Sequence, residues 1–183
     1  MPADGELNGR NMTATMTADT GRQRTRTALF LAVAMAATVG SALAFQHIGG
    51  YIPCHLCLEQ RTPYYIGAPL MLLAVIASML SAPAWLTRGL LAIGGLLMLY
   101  GLYLGVYHSG VEWAWWQGPA DCTAGAGPVD TGGKGVLDAL DKFVPPSCDK
   151  AALRILGLSL AGWNAIASFI LAAVAFRGAL ARD

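Results

Sequence analysis

Charge is what this chain of 183 residues has least of. Asp, Glu, Lys and Arg make up 13% of it, against about 25% in an average soluble domain. Hydrophobic residues make up 55% and the net charge is +1. This balance argues against a soluble globular domain. No basic stripe is interleaved with aromatics, so nucleic acid is not an expected partner. A phosphate loop is missing too: residues 125–135 are rich in glycine, but Lys134 is followed by Gly135 where Ser or Thr is required. A c-type haem needs His directly after a C-x-x-C, and Leu58 stands there. Zinc at finger-like spacing needs a second close pair, whereas 25 residues separate Cys122 from Cys148. No metal is expected, and no internal repeat is evident.

What is present is four apolar runs, at about 28–45, 64–80, 90–107 and 158–176. Each is at or near the roughly 17–25 residues a helix needs to cross a bilayer. Lipid offers the backbone no hydrogen-bond partners, so such runs must be helical. The expected fold is an all-α membrane protein, a four-transmembrane-helix bundle. Gly101-x-x-x-Gly105 fits the small-residue packing pattern of membrane helices, as it also fits chance in a chain with 22 glycines. Residues 1–27 lack an apolar period and read as a disordered tail; residues 177–183 form a short second tail.

Four spans put both termini on one side. That side carries seven basic residues, Arg10, Arg22, Arg24, Arg26, Arg88, Arg177 and Arg182, against four acids, a net of +3; the other carries five against seven, a net of −2. Basic residues flanking spans favour the cytoplasm. Both termini are therefore expected inside, and the loops 46–63 and 108–157 outside. The rival is a cleaved signal peptide ending at Ala42-Leu43-Ala44, which the 27 residues before the run disfavour.

All four cysteines fall in the outer loops, Cys54 and Cys57 in the first, Cys122 and Cys148 in the second. An even count on an oxidising side suggests disulfides, and three pairings are open. A C-x-x-C dithiol exchanges with a partner disulfide through a mixed disulfide. Pro53 suits the start of a helical turn, where the helix dipole favours a thiolate. Arg61, four residues beyond Cys57, shares its face if the helix continues. Pro63 disfavours that continuity and allows a break instead. A purely structural disulfide is the bland alternative.

The second outer loop is long enough to need structure or a task of its own. Trp113, Trp115 and Trp116 follow the third span and suit the membrane interface. Val136, Leu137, Leu140, Phe143 and Val144 keep a helical period, which predicts a short surface helix against lipid. Pro145-Pro146 ends it, and Cys148 follows. His108 closes the third span, where an imidazole can give a hydrogen bond or proton to a bound acceptor.

With these residues in place, the chain resembles the bacterial disulfide bond formation protein B (DsbB) family. The likeness covers about residues 28–176. It rests on Phe45-Gln46-His47, Pro53-Cys54-x-Leu56-Cys57-x-x-x-Arg61, Tyr107-His108, the pair Cys122 and Cys148, and the four-span layout. The resemblance implies a multi-pass enzyme of the bacterial inner membrane with both termini cytoplasmic. It would reoxidise a periplasmic DsbA-like dithiol oxidase and pass two electrons to a quinone, ubiquinone or menaquinone. Cys54 and Cys57 would be the electron-passing pair, with Cys57 beside the quinone and Arg61 and His108 at the quinone site. Cys122 would form the mixed disulfide with the partner, and Cys148 would exchange with Cys54. His55 between the cysteines, and the Trp- and Gly-rich second loop, depart from the family pattern. Two other readings are a vitamin K epoxide reductase-like enzyme, whose C-x-x-C usually sits near the last span, and a non-enzymatic scaffold with structural disulfides.

Overall fold

The computed structural model of the chain describes residues 3–119 and 148–181, with side chains from Gly21 onward. Cys122 and the surface helix expected over 136–144 lie outside the described residues. The elements run α1 (Ala3–His47), α2 (His55–Glu59), α3 (Thr62–Met79), α4 (Ala84–Glu112), β1 (Arg154–Ile155), β2 (Leu158–Ser159) and α5 (Leu160–Leu180). Four stretches are long and apolar enough to cross a bilayer: Gly21–His47, His55–Met79, Ala84–Glu112 and Leu160–Leu180. The chain is thus an all-α membrane protein with four spans. Only 22–39% of each span's most apolar window is buried. Large side chains such as Phe30, Leu72, Leu96 and Ile170 face outward. In water that surface would aggregate; in lipid it is the face the solvent prefers.

Element ends differ from the sequence reading. The backbone is helical back to Ala3, through the stretch read as a disordered tail. Ala and Met are strong helix formers, and a helix anchored in a span extends upstream without a new nucleation cost. α4 continues beyond 107 through Glu112. It ends where Ala114 takes φ 56°, with Ala114 N–H donating to Val111 O and Trp115 N–H to Gly110 O. This is the Schellman pattern, with alanine in the place glycine usually fills. α5 begins at Leu160 rather than Leu158. A two-residue hairpin precedes it, pairing Arg154 with Ser159 and Ile155 with Leu158. Its turn, Leu156-Gly157, has φ of 53° and 82°, the positive values a tight antiparallel turn needs.

The chain forms two compact units. The first comprises Met1–Thr38, Pro63–Leu99 and Phe169–Asp183. Leu31, Met35, Met71, Leu91 and Met98 are fully buried in it, and flexible methionines suit an irregular core. Arg24 donates to Ala181 O (2.8 Å) and Arg88 to Ala179 O (2.9 Å). Both guanidiniums thus satisfy carbonyls orphaned at the α5 C-terminus, where the dipole also favours cations.

The second unit comprises Val39–Thr62 and Tyr100–Ser168. Here α4 and α5 meet backbone to backbone: a Cβ on Gly105 would lie 2.9 Å from Ala165 N and 3.0 Å from its Cα. Trp116 folds back after α4, stacks on Tyr107 at 6.0 Å between centroids and donates Nε1–H to Tyr107 O at 2.8 Å. Gly105 of Gly101-x-x-x-Gly105 is therefore a packing position. Because backbone cannot rotate away, Gly105→Ala is expected to cost about 1–3 kcal/mol, the usual range for overpacking. The check is the thermal unfolding midpoint of the detergent-solubilised protein, which falls if the contact is as tight as described.

Candidate functional site: a dithiol beside a histidine

α2 is only five residues long and is organised around its first sulfur. Cys54 is its N-cap, with extended backbone (φ −74°, ψ 172°), and its Sγ accepts the Cys57 N–H at 3.3 Å. A cap of this kind normally needs a side-chain oxygen; here sulfur fills the role. Pro53 stands one residue before the cap rather than inside the first turn. Gln60 closes α2, and the Arg61 N–H turns back to Leu58 O. α3 restarts at Thr62, with Pro63 in its first turn, where a missing N–H costs nothing. The helix therefore breaks at Gln60-Arg61, one of the two arrangements Pro63 left open.

Both thiols are free, and their sulfurs lie 2.7 Å apart. Cys54 is buried with Leu56, Val111 and Cys148, and Cys57 and Tyr107 pack against that cluster. Cys148 is disulfide-bonded, and its partner is neither Cys54 nor Cys57. The second-loop cysteine is thus packed with the first-loop pair without being bonded to it.

From α4, His108 points its Nε2 at Cys54 Sγ, 3.8 Å away. The Cys54, Cys57 and His108 donor atoms lie within 4.8 Å of one another. A structural zinc takes four ligands, and this group offers three. Around His108 is a polar network that sequence reasoning missed. Gln60 Nε2 lies 2.6 Å from His108 Nδ1 and also donates to Leu56 O at 3.3 Å. Asn164 on α5 donates to Gln60 Oε1 at 2.7 Å. Glu112, one helical turn beyond His108 and as deeply buried, places Oε1 3.9 Å from Nε2, and its Oε2 has no partner among the described residues. Polar groups in apolar spans are costly and functional by default; that rule, applied to Gln60, Asn164 and Glu112, was the signal available.

Arg61 binds elsewhere than a continuous helix would direct it. Nη1 donates to Gln46 Oε1 at 2.5 Å and Nη2 reaches Ala42 O at 3.5 Å, both in the last turns of α1. This explains Gln46, which the sequence marks only as part of a motif. The two described bonds use two of the five guanidinium N–H donors, so the side chain retains donors for a further oxygen.

A model of one protein family, described as disulfide bond formation protein DsbB, matches residues 23–177. The chain belongs to the DsbB family. No curated protein and no solved structure matches it. DsbB-family membership makes it a membrane oxidoreductase of disulfide bond formation, and the four apolar helices agree with that.

The Cys54 thiol is pulled from its ordinary value of 9.0 down to about 5. The Cys57 thiol donating to it is the largest cause; burial opposes, and His108 and the Cys57 N–H add to the lowering. Because the folded value is depressed, the stability this thiolate lends the reduced protein is complete above the unfolded value and lost as pH falls through about 5. Iodoacetamide labelling of Cys54 in the reduced protein, mapped by mass spectrometry, should therefore stay fast down to mildly acid pH. It should fall with a midpoint near 5; a midpoint at an ordinary thiol value would contradict the geometry.

Proposed function

We propose that this protein reoxidises a periplasmic DsbA-like dithiol oxidase and passes the two electrons to a membrane quinone, ubiquinone or menaquinone. The observation that carries the reading is the free Cys54–Cys57 pair, Cys54 buried and Cys57 half-buried, at a helix N-cap in a membrane protein of the DsbB family. Both cysteine-bearing loops face the periplasm in this scheme, as the basic residues near the span ends favour.

Electrons enter through the second loop. A thiolate of the partner attacks Cys122, forming the mixed disulfide and freeing Cys148. Cys148, already packed with Cys54, attacks the Cys54 sulfur of an oxidised Cys54–Cys57 pair, and Cys57 leaves. The partner's second thiol releases its own disulfide, and exchange returns Cys122 and Cys148 to their bonded state, leaving Cys54 and Cys57 reduced. Stabilised thiolates leave faster in such exchanges, which suits the low-lying Cys54 thiolate.

A bound quinone supplies a two-electron, two-proton acceptor. Arg61 is the residue that would hold it, through its remaining donors; His108, also expected at the quinone site, has its ring nitrogens turned to Gln60 and Cys54 and would act beside the sulfur. Re-forming the Cys54–Cys57 bond from thiolate and thiol releases two electrons and one proton, and the second proton for the quinol comes from solvent. About 30 mV corresponds to about 1.4 kcal/mol for a two-electron couple, so a modestly uphill exchange is drawn forward by a quinone acceptor.

The test is quinone reduction by purified protein supplied with a reduced DsbA-like oxidase. Cys57→Ser is expected to abolish turnover. Arg61→Ala is expected to raise the KM for quinone about tenfold, the loss of one charge-assisted hydrogen bond. Turnover that persists in Cys57→Ser sinks the proposal and leaves a membrane scaffold with structural disulfides.

A further inference from the structure

The network behind His108 decides where that ring carries its proton. Imidazole nitrogens are not interchangeable: in the neutral ring one donates and the other accepts. The choice is read from neighbours whose own roles are fixed. Leu56 O is a backbone carbonyl and can only accept. The Gln60 atom 3.3 Å from it is therefore the NH2 group, and that same nitrogen lies 2.6 Å from His108 Nδ1. The other end of the Gln60 amide, Oε1, accepts from Asn164 Nδ2, which braces it against rotation. Nδ1 must then be the acceptor, so the neutral ring carries its hydrogen on Nε2. On the opposite edge, the acceptors near Nε2 are Cys54 Sγ at 3.8 Å and a Glu112 carboxyl oxygen at 3.9 Å. Both favour an N–H there.

We propose that Gln60, braced by Asn164, is a positioning residue that fixes His108 as its Nε2–H tautomer and aims that N–H at the Cys54 sulfur. The inference deepens the reading above and rests on Cys54 being a redox sulfur. It gives His108 a definite part: in this tautomer Nε2 has no lone pair with which to take the thiol proton. His108 is a hydrogen-bond donor to the Cys54 thiolate and not its base. Among the described residues, the titratable groups around Cys54 are Cys57 from α2 and Tyr107 and His108 from α4, with a Glu112 carboxyl oxygen 3.9 Å from His108 Nε2. Cys148 packs against Cys54 but is held in its disulfide.

The tautomer can be read without a quinone or a protein partner. Long-range proton–nitrogen NMR correlation of the reduced, histidine-labelled protein at alkaline pH distinguishes a protonated from an unprotonated ring nitrogen. His108→Gln assigns the signal among the three histidines. The parent should show an unprotonated Nδ1 and a protonated Nε2. Gln60→Met removes the donor and should populate Nδ1–H. It should also move the Cys54 labelling midpoint upward by about one pH unit, tenfold in thiolate fraction at a given pH. Asn164→Ala should shift both readouts in the same direction, and serves if Gln60→Met does not fold. An Nδ1–H ring in the parent overturns the proposal. So does an unchanged tautomer and midpoint in folded Gln60→Met. A parent with the expected tautomer and midpoint that fails to reduce quinone would instead sink the electron-transfer reading and leave this assignment standing.

Discussion

The contact on which the rest of the site depends is the one between the Cys54 sulfur and the end of α2. A five-residue helix has no stability of its own. It is held by a capping sulfur, by Gln60 at its other end and by the Leu56 side chain buried beneath it. The same sulfur that caps the turn is the one whose thiolate is stabilised, chiefly by the Cys57 thiol, with the capped N–H adding a smaller share. Backbone N–H groups left over at a helix start seek an acceptor, and an anionic sulfur satisfies them better than a neutral one. Chemistry and local structure are served by a single atom.

Around that atom the protein places polar groups where lipid-facing helices rarely carry them. Gln60, His108, Glu112 and Asn164 come from three separate helices, and the Gln60 amide bonds partners on each side. Every such group costs free energy in an apolar setting unless it is satisfied. Gln60 meets the condition fully, with its NH2 shared between a carbonyl and an imidazole and its oxygen taken by Asn164. Glu112 does not, because Oε2 lacks a partner among the described residues.

Much of the architecture was legible in the sequence because lipid imposes a simple rule. Four apolar runs imply four helices, and the observed spans overlap all four. Helix ends were less legible: a Schellman turn built on Ala114 instead of glycine, and a hairpin with two residues per strand turning at Leu156-Gly157, leave almost no pattern in composition. The dithiol was legible through its spacing, and Arg61 through its position after it. Its partners were not, since Gln60 meets Asn164 across 104 positions and Arg61 reaches back to Gln46 over a break that Pro63 only hints at. Contacts of that kind belong to tertiary packing and carry no local periodicity.

The sulfur cap also has a counterpart in the oxidised protein. In the reduced form the turn is capped by an acceptor carrying charge; once that sulfur is bonded to another, it accepts a hydrogen bond only weakly. An S–S bond between Cys54 and Cys57 would tie the same two positions that the cap hydrogen bond joins. The geometry of this turn is thus compatible with either a hydrogen bond or a covalent bond across it.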